Sequence, residues 1–270
     1  MKLLEINNVD VTYGGRSKKS HFKAVSNITL DIRPGETVGL VGESGSGKTT
    51  LGRAVLGLAP VKAGSILLNG EELTTVSRQR RRELAKDIQV VFQDPYSSLN
   101  PSMSIEDILS EPLIVRDWSK GDAKSRIREL LDAVGLPKDA GSRRPREFSG
   151  GQRQRIAIAR ALATDPKLIV CDEPVSALDL TTQLRVLDLL LEIQERTGVA
   201  YLFISHDLAV VRHLSHRVAV MFKGELVEWG EGKQVTERPN HPYTKKLMMA
   251  APVPNPKEQA KRREQRLAMK

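Results

Sequence analysis

The sequence predicts an α/β protein with a parallel-sheet core, an antiparallel β subdomain and an inserted α-helical subdomain. Three observations lead there. The first thirty residues alternate apolar and polar side chains (LLEINNVDVTY, then AVSNITLDI), the period-two pattern of strands with one buried face. The second half, from Gln152, alternates helical spacing with short apolar runs (KLIVCD, VAYLFIS, RVAVMF), the order that builds a parallel sheet. Between these stretches, Pro95 to Arg146 is polar-surfaced and helical in spacing, with breaks at Pro101, at Gly135-Leu136-Pro137 and at Pro145.

In chain order, the alternating strands give the antiparallel layer. ETVGLVG is a short buried strand that runs into SGSGKTTLGRAVLGL, where glycines give way to helical spacing. SILLNGEEL is a further strand with an Asn-Gly turn, and the charge-dense SRQRRRELAKD leads into another apolar strand, IQVVFQ. The helical subdomain then spans about 95–150, and TTQLRVLDLLLEIQER supplies the long helix of the second half. These elements make one domain over 1–251, followed by a Pro-rich and then charged tail over 252–270, expected to be flexible.

Composition narrows the function classes. Apolar residues make up 40% and charged residues 28%, which suits a globular core and excludes wholesale disorder. No run of about 18 apolar residues could span a bilayer and the N-terminal stretch lacks a signal-peptide pattern, so a cytosolic chain is expected. One cysteine, Cys171, rules out an internal disulfide and a multi-cysteine metal centre, and its strand context predicts burial. The net charge of +9 invites nucleic acid or an anionic surface as partner. From Lys257 onward, however, six basic residues face only Glu258 and Glu264, so a net +4 of that +9 sits in the tail and reads as a solvated end.

Gly42, Glu43, Ser44, Gly45, Ser46, Gly47, Lys48 and Thr49, with Thr50 beyond, fit G-x-x-x-x-G-K-[ST] between a strand and a helix, the context the motif requires. The glycines let backbone N–H groups wrap phosphate oxygens, and the helix N-terminus adds a favourable dipole. Lys48 is expected to reach the β- and γ-phosphates of ATP, and the Thr49 hydroxyl to ligate Mg²⁺. The fold is then that of a RecA-like P-loop NTPase. Hydrolysis needs more, and LIVCDE offers it: a buried strand presents Asp172 for Mg²⁺ and Glu173 to polarise the attacking water.

Phe148-Ser149-Gly150-Gly151-Gln152, opening a helix shortly before that strand, resembles the LSGGQ signature of ABC ATPases, with Phe148 in place of leucine. A second anion site is redundant in a domain that already has a phosphate loop, so it calls for another nucleotide. The resemblance implies that Ser149, Gly150, Gly151 and Gln152 bind the γ-phosphate held by a partner subunit, in a head-to-tail dimer. It also implies that Tyr13 stacks on adenine, that Gln93 is the Q-loop glutamine near Mg²⁺ and the water, that Ser176 to Asp179 form the D-loop, and that His206 is the switch histidine.

Two stretches, Gln93 to Pro101 (QDPYSSLNP) and Asn240 to Thr244 (NHPYT), resemble the ATPase subunits of oligopeptide, dipeptide and nickel importers. With DEPVSALD, they look like the second of the two ATPases such importers pair. The resemblance implies a motor at the cytoplasmic face of the membrane, with a second ATPase (a heterodimer, or alternatively a homodimer), two transmembrane permease subunits and an extracytoplasmic solute-binding protein. The C-terminal cysteine cluster common in this subfamily is absent. The rival readings are an ABC-type ATPase acting on nucleic acid or ribosomes, against which the compact single motor speaks, and a nucleotide-bound scaffold, which would leave Glu173 and His206 idle.

Overall fold

The computed structural model describes residues 1–14 and 21–250, so the tail expected over 252–270 lies outside the described residues. In chain order the elements are β1 (Leu4–Tyr13), β2 (Phe22–Ile32), β3 (Thr37–Val41), α1 (Lys48–Val55), β4 (Val61–Leu68), β5 (Glu71–Glu72), α2 (Arg78–Leu84), β6 (Ile88–Val91), α3 (Pro95–Ser98), α4 (Ile105–Ile114), α5 (Lys120–Ala133), α6 (Gly150–Leu162), β7 (Leu168–Asp172), α7 (Leu180–Thr197), β8 (Ala200–Ser205), α8 (Leu208–Leu214), β9 (Arg217–Phe222), β10 (Glu225–Glu231), α9 (Gly232–Glu237) and α10 (Pro242–Ala250). They fall into two compact units, residues 1–75 with the chain from 202 onward, and residues 76–201.

The first unit holds the antiparallel layer the alternation predicts. Its strand order is β2-β1-β4-β5, and β1 buries alternate residues such as Leu4, Ile6, Val9 and Val11. Asn8 and Asn27 adopt positive φ where the β1–β2 register shifts, and the Asn27 N–H donates to Asp10 Oδ1 at 2.7 Å. The Asn-Gly turn between β4 and β5 has positive φ at both Asn69 and Gly70, as a tight hairpin turn requires. In the same unit β3, buried along its whole length, runs parallel to β9, and β10 pairs antiparallel with β9 on the far side. Arg217, at the start of β9, ties these strands to β2: its guanidinium donates to Glu36 at 2.6 and 2.9 Å and to the Asp31 carboxylate at 3.0 Å. The same guanidinium lies 4.4 Å over the Trp229 ring.

In the second unit β6 runs parallel to β7, with Ile88 opposite Leu168 and Val91 opposite Cys171. Cys171 is buried as expected, and burial pushes its thiol well above the usual range. Helix α6 packs on β6 and against α4, α5 and α7. The helical stretch expected over about 95–150 contains α3, α4 and α5 and ends in two 3₁₀ turns at Ala140–Ser142 and Pro145–Glu147. Its breaks at Pro101 and Gly135 fall between helices, and Pro145 opens a 3₁₀ turn. One further break was not read from the sequence: α4 ends at Ile114, Asp117 takes positive φ, and Ser119 caps α5 by accepting from the Asp122 N–H at 3.2 Å. The charge-dense segment before β6 is the helix α2, capped by Ser77.

Candidate functional site

Strand β3 delivers the chain into the Gly42–Thr49 loop, and α1 begins at Lys48, with Gly47 at its N-cap in a left-handed conformation. Gly42 is forced by its surroundings: φ is +156°, and a Cβ there would stand 2.2 Å from the Met221 carbonyl oxygen. Gly47 is held similarly, with the Ala24 carbonyl oxygen 2.5 Å from a hypothetical Cβ. The Lys48 ammonium, almost wholly buried, donates to the carbonyl oxygens of Gly42 at 2.8 Å and Glu43 at 2.9 Å. Thr49 and Thr50 follow within the first turn of α1, where the backbone N–H groups and the helix dipole favour anions. The loop is braced by the β9–β10 turn, where the Gly224 N–H donates to the Ser46 carbonyl at 3.0 Å.

The same unit carries Tyr13 and His206. Tyr13 ends β1, partly exposed, directly opposite Phe22, which is 65% exposed. Sequence reasoning singled out Tyr13 and missed Phe22, because only the strand register pairs the two rings. His206 follows the last residue of β8 and is exposed. Its neighbours fix the turn: Ser205 Oγ accepts from the Asp207 N–H at 3.0 Å, and the Asp207 carboxylate caps α8 through the Ala209 N–H at 2.8 Å.

The second unit carries the remaining predicted residues. Asp172 is the last residue of β7, and Glu173 follows with φ +50°, a left-handed conformation uncommon for a residue with a long side chain. The Glu173 carbonyl accepts from the Ser176 N–H at 3.2 Å and from Ser176 Oγ at 3.0 Å, which closes the turn that presents it. Asp179 caps α7, accepting from the Thr182 hydroxyl at 2.6 Å and the Thr182 N–H at 3.0 Å, and these bonds hold its carboxyl below the usual carboxylate range. Gln93 lies exposed between β6 and α3, immediately before Asp94, which caps α3 through the Tyr96 N–H at 2.8 Å.

Ser149 caps α6 in a reciprocal box with Gln152: the Gln152 N–H donates to Ser149 Oγ at 3.3 Å, and the Ser149 N–H donates to Gln152 Oε1 at 2.9 Å. The two glycines differ. A Cβ on Gly151 would stand 2.3 Å from Thr182 Cγ2, so the close approach of α6 and α7 demands glycine there. Among the described residues, a Cβ on Gly150 would meet nothing closer than the Tyr96 hydroxyl at 3.5 Å, an ordinary contact. The segment after Gln93 is fastened to this helix: the Arg153 guanidinium lies 4.2 Å over the Tyr96 ring, and Arg160 donates to the Ser98 carbonyl at 2.6 Å.

A family model described as ABC transporter matches residues 25–176, more than half of the chain and inclusive of the phosphate loop, the α6 cap and Asp172-Glu173. The chain belongs to the ABC transporter family. A second model, the oligopeptide/dipeptide transporter C-terminal region, matches residues 227–269 of this ABC transporter chain. The glutathione import ATP-binding protein GsiA of Salmonella typhimurium (strain LT2) is 52% identical over 241 residues, 89% of this chain and 39% of that protein. The oligopeptide transport ATP-binding protein OppD of Mycobacterium tuberculosis is 50% identical over 234 residues, 87% of this chain and 38% of that protein. The chain thus spans about two fifths of the length of these curated relatives. Among solved structures, the dimeric post-hydrolysis ATP-binding cassette MJ0796 bound to ADP and phosphate superposes with a TM-score of 0.75 at 29% identity, covering 84% of this chain and 98% of that one. The fold is therefore the P-loop NTPase fold of the ABC family, with parallel and antiparallel sheets.

Among the described residues no group of three or more His, Cys, Asp or Glu converges on a metal position.

Proposed function

We propose that the chain is the ATP-binding and ATP-hydrolysing motor subunit of an ABC importer that takes up peptides, oligopeptide or dipeptide, or nickel, through a separate permease. The observation that carries the reading is the pair of helix-N-terminal anion loops, a complete phosphate cradle at Gly42–Thr49 and a second cap at Ser149–Gln152 whose Gly150 none of the described residues forces to be glycine. The first loop takes the chain's own ATP. The second is suited to a nucleotide brought by another subunit, and the dimeric cassette MJ0796 supports that arrangement.

Each residue then has a role. The backbone N–H groups of residues 42–50 and Lys48 hold the phosphates, and Tyr13 with Phe22 offers a partly exposed aromatic surface for adenine. Thr49, Gln93 and Asp172, which offer hydroxyl, amide and carboxylate oxygens, would hold Mg²⁺, and the ion would supply neutralising charge for the phosphate oxygens. Glu173 orients and polarises the attacking water, His206 stabilises charge at the γ-phosphate, and Ser176 and Asp179 face the dimer partner. The strained turn at Glu173 supports its assignment, since such backbone is retained where a side chain must be aimed.

Partner contacts follow the same logic. A cleft of about 590 Å³ within the second unit is lined by Arg82, Gln89, Glu111, Ile114, Val115 and Arg116, with Ile114 and Val115 strongly exposed. An apolar patch rimmed by charge suits a short helix from a permease. Among the described residues no helix is long and apolar enough to cross a membrane, so a permease pair would hold this subunit at the cytoplasmic face. The C-terminal region match favours a transporter of the peptide class, and the proposed complex adds a second ATPase and an extracytoplasmic solute-binding protein. Residues 1–251 act as one motor in which the helical part around 95–150 transmits closure.

Affinity capture from gently solubilised host membranes, with Glu173→Gln and ATP to trap the closed state, tests the whole reading. Recovery of two permease subunits and a second ATPase is the expected result. Ribosomes or nucleic acid without a membrane partner would overturn it.

A further inference from the structure

The phosphate loop is held from an unexpected side, by the C-terminal stretch that nothing in the catalytic reading uses. The Glu43 N–H donates to the Tyr243 hydroxyl at 3.0 Å. That N–H belongs to the same peptide unit as the Gly42 carbonyl, which accepts from the Lys48 ammonium at 2.8 Å. One peptide plane is therefore pinned on both edges, by the loop's own lysine and by a tyrosine 200 residues later in the chain. Gly42 has no side chain to resist rotation of that plane, so its orientation depends on these two bonds.

Tyr243 is itself well fixed. Its ring packs on Phe222, centroids 4.2 Å apart and planes inclined by 35°, at the end of β9 where the strand meets the turn that braces Ser46. The start of α10 is anchored to β10: the Glu228 carboxylate accepts from the Asn240 N–H at 2.7 Å and the His241 N–H at 3.1 Å, and His241 Nδ1 accepts from the Tyr243 N–H at 3.2 Å. Thr244, the next residue, is fully buried. The run Asn240-His241-Pro242-Tyr243-Thr244 thus works as a bracket whose working end is one phenolic oxygen.

We propose that Tyr243 is a positioning residue for nucleotide binding: its hydroxyl sets the Gly42–Glu43 peptide plane, so that the C-terminal region holds the phosphate loop in its receiving form. The proposal rests on the reading of Gly42–Thr49 as a nucleotide site. Losing the hydroxyl leaves the Glu43 N–H without this acceptor and lets the peptide turn, taking the carbonyl from Lys48. Binding of a nucleoside diphosphate must then restore the order, and its affinity falls.

The test uses the full chain and two variants. Tyr243→Phe removes the hydroxyl and keeps the ring against Phe222; Phe222→Leu removes the ring partner and keeps the hydroxyl. Calorimetric titration with MgADP is expected to give about three- to tenfold weaker binding for Tyr243→Phe, the scale of one hydrogen bond. Its melting temperature without nucleotide should stay close to wild type. Phe222→Leu should show the reverse, a lowered melting temperature with a smaller change in affinity. Hydrogen exchange, which needs no nucleotide, should rise in Tyr243→Phe at the Glu43 amide and not through α10. Equal MgADP affinity with unchanged exchange at Glu43 would overturn the proposal, as would a Tyr243→Phe variant that loses affinity only as α10 unfolds. A wild type that fails to bind MgADP would instead remove the nucleotide reading, and the exchange at Glu43 would still decide whether Tyr243 holds the loop.

Discussion

The two glycine-rich caps of this chain look alike in sequence and differ in what demands their glycines. In the Gly42–Thr49 loop, Gly42 and Gly47 have positive φ and backbone oxygens 2.2 and 2.5 Å from where a Cβ would stand. The chain's own fold requires them. In the Ser149–Gln152 cap neither glycine has a left-handed φ; Gly151 is required by Thr182, whereas none of the described residues requires Gly150. Under the proposed function, Gly150 is the position where a partner's nucleotide rather than the fold calls for glycine.

Substitutions break or sharpen that contrast. The largest effect is expected for Gly42→Ala, because the obstacle is the Met221 backbone and the φ is unfavourable: nucleotide binding should fall on the order of 100-fold, measured by titration with MgADP. Next comes Gly151→Ala, whose Cβ meets Thr182 Cγ2 at 2.3 Å; denaturant unfolding should show a loss of about 1–3 kcal/mol. Adding Thr182→Ser deletes the offending methyl while retaining the hydroxyl that bonds Asp179, and should return most of that stability. Tyr13→Ala should weaken MgATP binding about tenfold, the scale of a lost aromatic stack on a base, and Phe22→Ala should do so by less. The smallest effect is a pH dependence. The Asp179 carboxyl is held below its ordinary value by the Thr182 bonds, so its contribution to stability is present above the ordinary carboxylate range and is lost as pH falls through the lowered folded value. Melting temperatures of wild type and Asp179→Asn should therefore differ at neutral pH and converge in acid.

Much of this was legible in the sequence where the signal is local. Gly42 to Thr49 show the strand-loop-helix spacing of a phosphate loop, and the period-two alternation of β1 and β2 reflects burial of one face directly. What the sequence hid depends on distant partners. β10, with a sequence of ELVEWGE and a mostly half-buried pattern, shows no alternation, and only pairing with β9 makes it a strand. Phe22 gains meaning from its register with Tyr13, and the left-handed backbone at Glu173 has no compositional mark. The Asn240–Thr244 run could be matched to a subfamily by eye, yet its reach to Glu43 is a matter of tertiary packing alone.

The most direct measurement is ATP turnover by Gly150→Ala in the assembled complex, alongside its melting temperature and the MgADP affinity of the isolated chain. A Cβ there has room, so stability and affinity at the chain's own loop should match wild type, while turnover should fall about tenfold or more because the cap must approach a partner's γ-phosphate. Turnover equal to wild type would contradict the claim that the second cap serves a partner's nucleotide.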